Sequence, residues 1–182
     1  VTIRDCRIHD AIFGIYLRES DDAAVETTTI IGIPGRPPGE VGSGIEASNG
    51  YIDKFMGDGL MALFGLGSSP GEASRDAIRA AIAAQRATQS ASRMLTQHLN
   101  EPLRIGIGID TGMAVIGRIG RTADQTSPSR LTAIGDTVNI AARLESATQE
   151  LDCGSVVSAR TLARAGIEPD EAPGVRSTIA VH

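Results

Sequence analysis

The sequence predicts an α+β fold, and three observations carry that prediction. Between Tyr51 and Gly65 an apolar run turns back on itself at Gly57-Asp58-Gly59, and a central Asp and Gly in a two-residue loop is the strongest short hairpin signal. From Glu72 to Asn100 no Gly or Pro interrupts a pattern in which Ala77, Ile78, Ala81, Ile82 and Gln85 recur at helical spacing. Beyond Pro102, short aliphatic runs give way to a second helical pattern after Gly135-Asp136.

Taken in order, residues 1–50 read as a β-rich segment. VTIRDCRI (Val1 to Ile8) and AVETTTI (Ala24 to Ile30) align with Ile3 over Val25, Cys6 over Thr28 and Ile8 over Ile30, and GIYLRES (Gly14 to Ser20) echoes GIEASNG (Gly44 to Gly50). Gly32 to Gly44 holds Pro34, Pro37 and Pro38 with several glycines, a composition that cannot be helical. Short β runs repeated in this way mark solenoid coils, and the segment resembles two coils of a right-handed parallel β-helix; a plain meander of short strands is the alternative.

Residues 51–182 form the second unit. Its hairpin runs through Ile52, Lys54 and Phe55 to the turn and returns over Leu60 to Phe64. Pro70-Gly71 opens the long helix, whose Ala-rich stripe suits close packing on a sheet, and Asn100 with Pro102 closes it before a strand at Leu103 to Ile109. The glycines of GIGIDTG have the look of a dinucleotide loop, but no helix follows them, so GIGIDTGMAVIGRIG (Gly106 to Gly120) is expected to be a hairpin. Thr122 to Ser129 reads as a polar loop, Val156 and Val157 as a strand, Ala159 to Ala163 as a short helix and Ser177 to Val181 as a closing edge strand.

Composition narrows the function classes. Of 182 residues, 41% are hydrophobic, enough for a core, but only 3% are aromatic, so the core is built on Ala, Ile, Leu and Val and no stacking platform for single-stranded nucleic acid is present. A net charge of −5 also argues against a nucleic-acid surface. No apolar run approaches a membrane span, so no membrane contact is expected. Cys6 and Cys153 suggest reduced thiols in a cytoplasmic setting, with a disulfide as the alternative, and His9, His98 and His182 form no ligand spacing. The Val at position 1 is consistent with a fragment.

The chemistry concentrates in YIDKFMGDGLMALFG (Tyr51 to Gly65) and TAIGDTVNIAARLE (Thr132 to Glu145). Asp58, projecting from a rigid tip, is a hard oxygen donor suited to Mg²⁺ or Mn²⁺ on a nucleotide's phosphates. Asn139 and Arg143 are one helical turn apart and share a face, offering an amide to a ribose and a planar cation to a phosphate. Singly, each has an ordinary reading: a structural turn, a solvated helix face, a strand-edge Lys54, a strand Thr132. Jointly, the two segments resemble the class III adenylyl and guanylyl cyclase catalytic domain, over roughly Gly50 to His182.

That resemblance implies a ferredoxin-like βαββαβ core making a cyclic nucleotide at a head-to-tail interface of a homodimer or heterodimer. It implies that Asp58 is the second metal-binding aspartate, that Lys54 and Thr132 select the base, and that Asn139 and Arg143 stabilise the transition state. Lys with Thr is similar to the adenine-selecting bacterial subclass, so ATP is the expected substrate. The chain departs from the family in Leu131, where many relatives carry an aromatic residue, and Arg176 is only an approximate match to a phosphate-binding cation. It also lacks the opening DIxxF strand that supplies the first metal aspartate: aligning VTIRDCRI there puts Arg7 where the acid belongs, and a cation repels a metal. The sequence therefore reads as a cyclase domain without its opening strand and helices, a truncated or spliced product of impaired activity. A non-catalytic cyclase-homology module that binds nucleotide or pairs with a complete partner is the alternative, and a glycan-binding β-helix with a passenger is a third. The Phe55-Met56-Gly57-Asp58-Gly59 turn does not match the Gly-Gly-acid-acid-Phe turn of diguanylate cyclases.

Overall fold

A computed structural model describes residues 15–16, 26–31, 44–56, 59–94, 102–119 and 130–168. Seven strands and three helices appear among them: β1 (Ile15–Tyr16), β2 (Glu26–Ile31), β3 (Tyr51–Met56), β4 (Gly59–Phe64), α1 (Pro70–Met94), β5 (Ile107–Ile119), β6 (Arg130–Ile134), α2 (Asp136–Glu150), β7 (Ser155–Val157) and α3 (Ala159–Ala165). A helical turn over 44–47 leads into β3.

The sheet runs β1-β5-β2-β4-β3, with β6 and β7 also paired to β5. Its core order, β5-β2-β4-β3, is that of a βαββαβ unit in which β2 is the first strand. The first strand's place is therefore filled by Glu26–Ile31, which pairs antiparallel with β4 on one side and β5 on the other. The sequence leaves Ala24 to Ile30 open to a parallel solenoid coil or a plain meander of short strands. Its β-branched run Thr27-Thr28-Thr29-Ile30-Ile31 has the propensity for a strand in either setting, and the two antiparallel ladders decide against the coil. The sheet draws on both sides of the boundary expected after residue 50.

Within the Gly106 to Gly120 stretch, Ile107–Ile119 is not a hairpin but one long strand, β5. The Ile and Gly of its opening half alternate because its two faces meet different neighbours. Ile107 and Ile109 join Leu60, Ala62, Phe64 and the alanines of α1 in one core. On the other face, a Cβ at Gly108 would lie 2.0 Å from the Ala141 carbonyl oxygen and 2.3 Å from the Glu145 nitrogen, so α2 crosses there at backbone contact. A second core on that face gathers Met61, Leu63, Ile116, Ala133 and Ala141. Every residue from Leu60 to Phe64 is buried because β4 has a helix on each side.

Helix α1 begins at Pro70, a residue suited to a helix's first position. Ser69 and Glu72 close a reciprocal capping box: the Ser69 nitrogen donates to Glu72 Oε2 at 3.0 Å, and the Glu72 nitrogen donates to Ser69 Oγ at 3.4 Å. The Ser69 hydroxyl, which donates to Glu72 Oε2 at 2.7 Å, and then the Ser69 nitrogen hold the Glu72 carboxyl below its ordinary 4.5. The buried stripe is Ala73, Ala77, Ala80, Ala81, Ala84, Thr88 and Ala91. Ile82, expected in the stripe, is 47% exposed, because the small residues and not the larger apolar one let the helix lie close on the sheet.

Candidate functional site

Lys54 and Thr132, expected to act together, do meet. Lys54 Nζ donates to Thr132 Oγ1 at 2.6 Å, although the two residues lie 78 positions apart. The fold achieves this by bringing β3 against β6, which is held in turn by β5 through the pair Gly117 and Thr132. Thr132 is buried and the Lys54 side chain is 38% exposed, so the pair faces an accessible edge from a fixed base.

A third residue, which sequence reasoning did not single out, completes the cluster. Asp53 Oδ2 accepts from Thr132 Oγ1 at 2.9 Å and lies 3.2 Å from Lys54 Nζ, with its side chain 1% exposed. On a regular strand, neighbours such as Asp53 and Lys54 point to opposite faces. Here Ile52 pairs with Ala62 and Lys54 with Met61, leaving Asp53 as an extra residue between them. This β-bulge suspends the alternation and turns both side chains toward Thr132. The period-2 reading of the strand hid Asp53; nothing in the local sequence announces a bulge.

Asn139 and Arg143 sit on α2, both exposed, on the side away from buried Thr137, Ala141 and Leu144. The helix is anchored at its start. Thr137 Oγ1 donates to Asp110 Oδ2 at 2.7 Å, and Arg160 Nη2 donates to the same oxygen at 2.9 Å. Gly135 permits the approach of the chain to β5, since a Cβ there would come within 3.0 Å of Ala114 Cα and the Met113 carbonyl oxygen. Asp110, fully buried, thereby sets where Asn139 and Arg143 stand, a part the sequence reading did not assign to GIGIDTG.

Asp58 lies outside the described residues, as do Arg176, the Thr122 to Ser129 loop and the expected strand at Ser177 to Val181. Met56 pairs with Gly59 across β3 and β4, in agreement with the expected hairpin. In the adjoining ladder, Ile31 opposite Met61 is the described β2 residue nearest that end of β4. The strand ends there in Thr29-Ile30-Ile31, and Glu26, its one acid, is ~17 Å back at the usual rise of a strand. Among the described residues no group of three or more His, Cys, Asp or Glu is placed to hold a metal ion. These residues do not fit a two-ion site, which needs two carboxylates bridging the ions.

The cavity of about 570 Å³ lined by Gln85, Thr88, Arg104, Glu145 and Asp152 contains none of these residues. No helix among the described residues is long and apolar enough to cross a membrane.

Comparison with known proteins places this geometry in context. A family model described as the adenylate and guanylate cyclase catalytic domain matches residues 45–165. An adenylate cyclase from Anabaena cylindrica is 35% identical over 119 residues, covering 65% of this chain and 22% of that protein. This chain thus spans less than a quarter of the length of that relative. Among solved structures, the guanylyl cyclase Cya2 is 29% identical with a TM-score of 0.63, over 78% of each chain. The adenylyl cyclase CyaB from P. aeruginosa, at 24% identity and a TM-score of 0.65 over 78% of this chain and 80% of that one, shares the fold.

Proposed function

Because the chain belongs to the adenylate and guanylate cyclase catalytic domain family, we propose that it is a purine nucleotide cyclase domain of adenylyl type. Its reaction is the conversion of ATP into 3′,5′-cyclic AMP and pyrophosphate, in the cytoplasm, in intracellular signal transduction. The observation that carries this reading is the contact between Lys54 and Thr132.

In this reading Lys54 Nζ donates to adenine N1 and Thr132 meets the 6-amino group. Asn139 orients the ribose so that its 3′ oxygen lies in line with the α phosphorus. The O3′–Pα bond forms as the bond from Pα to the bridging oxygen of the β phosphate breaks; the 3′ hydroxyl gives up its proton to solvent water and pyrophosphate departs. Arg143, a fixed cation, meets the negative charge that develops around Pα. Because Asn139 and Arg143 are exposed, they can serve a ligand held at an interface, which suits a head-to-tail homodimer or heterodimer. Asp58 is the proposed carboxylate ligand for Mg²⁺ or Mn²⁺, and because the described residues supply no second acid for such a site no step is assigned to an ion.

The missing acid favours a second reading, a non-catalytic cyclase-homology module that binds nucleotide or pairs with a complete partner. Pyrophosphate release, measured with this chain alone and with a catalytically complete cyclase domain added, separates the two. Turnover by the mixture above that of the added domain alone, lost on Arg143→Ala in this chain, supports the first. ATP binding or pairing with the added domain, with no turnover that depends on Arg143, supports the second, and absence of both ATP binding by calorimetry and pairing overturns both.

A further inference from the structure

We propose that Asp53 is the residue that fixes the base preference of the site, by dictating which way the Thr132 hydroxyl points. The inference rests on the adenine-binding reading of Lys54 and Thr132 and follows from counting donors and acceptors.

A threonine hydroxyl has one proton to donate and two lone pairs to accept with, a lysine ammonium has three protons and no acceptor, and a carboxylate only accepts. Lys54 Nζ, at 2.6 Å, occupies one lone pair of Thr132 Oγ1. Asp53 Oδ2, at 2.9 Å, takes the one hydroxyl proton. A second ammonium proton faces the same carboxylate oxygen at 3.2 Å. What remains for a ligand is one N–H donor on Lys54 and one acceptor lone pair on Thr132.

Adenine offers the complement: an acceptor at N1 and a donor in its 6-amino group. Guanine and hypoxanthine offer the reverse, a donor at N1 and an acceptor at O6, and find donor against donor and acceptor against acceptor. A threonine free to rotate its hydroxyl can donate to O6 and thus discriminates poorly at that position. The selectivity at the 6 position therefore belongs to the buried carboxylate and not to Thr132 alone. The bulge at Asp53 makes this possible, since a regular strand would send Asp53 and Lys54 to opposite faces. Asp53 acts through Thr132 and Lys54 and is a positioning residue, not one that touches the base.

The test is displacement of a ribose-labelled fluorescent ATP from the full chain, in Mn²⁺, by ATP and by ITP. ITP differs from ATP only at N1 and the 6 position, so the ratio of the two affinities reads this hydrogen-bond polarity. Because the ratio is internal to each protein, partial unfolding does not move it. The expected wild-type preference for ATP is about tenfold or more, the scale of a mismatched buried polar group. Asp53→Ala releases the hydroxyl and should lower the ratio by about fivefold, the part set by Lys54 opposite N1 remaining. Asp53→Asn, of the same size, offers a donor as well as an acceptor and should lower the ratio by about threefold, which covers failure of the alanine variant to fold. An unchanged ratio in the variants overturns the role of Asp53 while leaving the adenine site standing. Failure of ATP to displace the probe from the wild-type chain overturns the site and the inference together.

Discussion

Replacing Gly108 by alanine should be among the most damaging single-methyl changes in this chain. The added Cβ would stand 2.0 Å from the Ala141 carbonyl oxygen and 2.3 Å from the Glu145 nitrogen, where real Cβ contacts keep 3.0 Å or more. The shortfall is 3.0 − 2.0 = 1.0 Å against backbone, which no rotamer change relieves. Helix α2 must therefore move away from β5 by about that distance, at a cost of about 1–3 kcal/mol for an overpacked contact. For a domain of this size that corresponds to a fall in Tm of roughly 2–12 °C. Since α2 carries Asn139 and Arg143, and 1 Å of misplacement can cost about a hundredfold in rate, cyclase complementation should suffer more than stability does. The control is Gly67→Ala, where the new methyl meets nothing within 4 Å. Thermal melts by circular dichroism and pyrophosphate release in the mixed assay give both readouts. A Gly108→Ala protein that melts with wild type would refute the close crossing of α2 over β5.

Four further outcomes are expected. The isolated chain should show little or no Mn²⁺-dependent cyclic AMP production, each tenfold loss in rate being about 1.4 kcal/mol of barrier, and robust production would overturn the account of the missing acid. Asn139→Ala and Arg143→Ala should leave Tm within about 1 °C, as exposed positions do, while lowering complemented turnover about a hundredfold; parallel loss of stability would argue for a structural role. Lys54→Glu with Thr132→Cys, made on a chain given an acid-bearing first strand, should weaken or reverse the preference for ATP over GTP, and equal turnover of ATP and GTP before that change would show that these positions do not read the base. Finally, because Glu72 is held below its ordinary 4.5 by Ser69, its contribution is present above that value and lost as pH falls through the folded value. The gap in Tm between wild type and Glu72→Ala should thus close on the acid side, and a gap unchanged between pH 7 and pH 3 would contradict the capping box.

Much of the fold was legible because local chemistry and tertiary role agree. The hairpin at Gly57-Asp58-Gly59, the long Ala-rich helix and the helix after Gly135 all carry their own turn or periodicity signals. The Lys54 and Thr132 pair was legible only through resemblance, since nothing in either residue's neighbourhood specifies a partner 78 positions away. Three features were not legible, each for a reason of pairing. The register slip at Asp53 arises from how β3 meets β4, and Ile52, Asp53 and Lys54 show no Gly or Pro to mark it. The alternation of Ile and Gly from Ile105 to Gly108 looked like turn chemistry, whereas it records a helix backbone lying on one face of a strand. The ETTTII segment declares a strand but not its neighbours, which only the edges of β4 and β5 supply.

The occupancy of the sheet's middle by Glu26–Ile31 separates two kinds of requirement that a cyclase domain normally meets with one segment. Main-chain ladders ask only for an extended, β-prone stretch of the right length, and any such stretch seals the gap between β4 and β5. Chemistry asks for an acid at one particular station on that stretch. A chain can therefore keep its architecture while a single interchangeable splint determines whether it carries catalytic capacity. Exchanging residues 26–33 for an acid-bearing stretch of equal length should alter what the domain does while leaving its melting profile close to where it was.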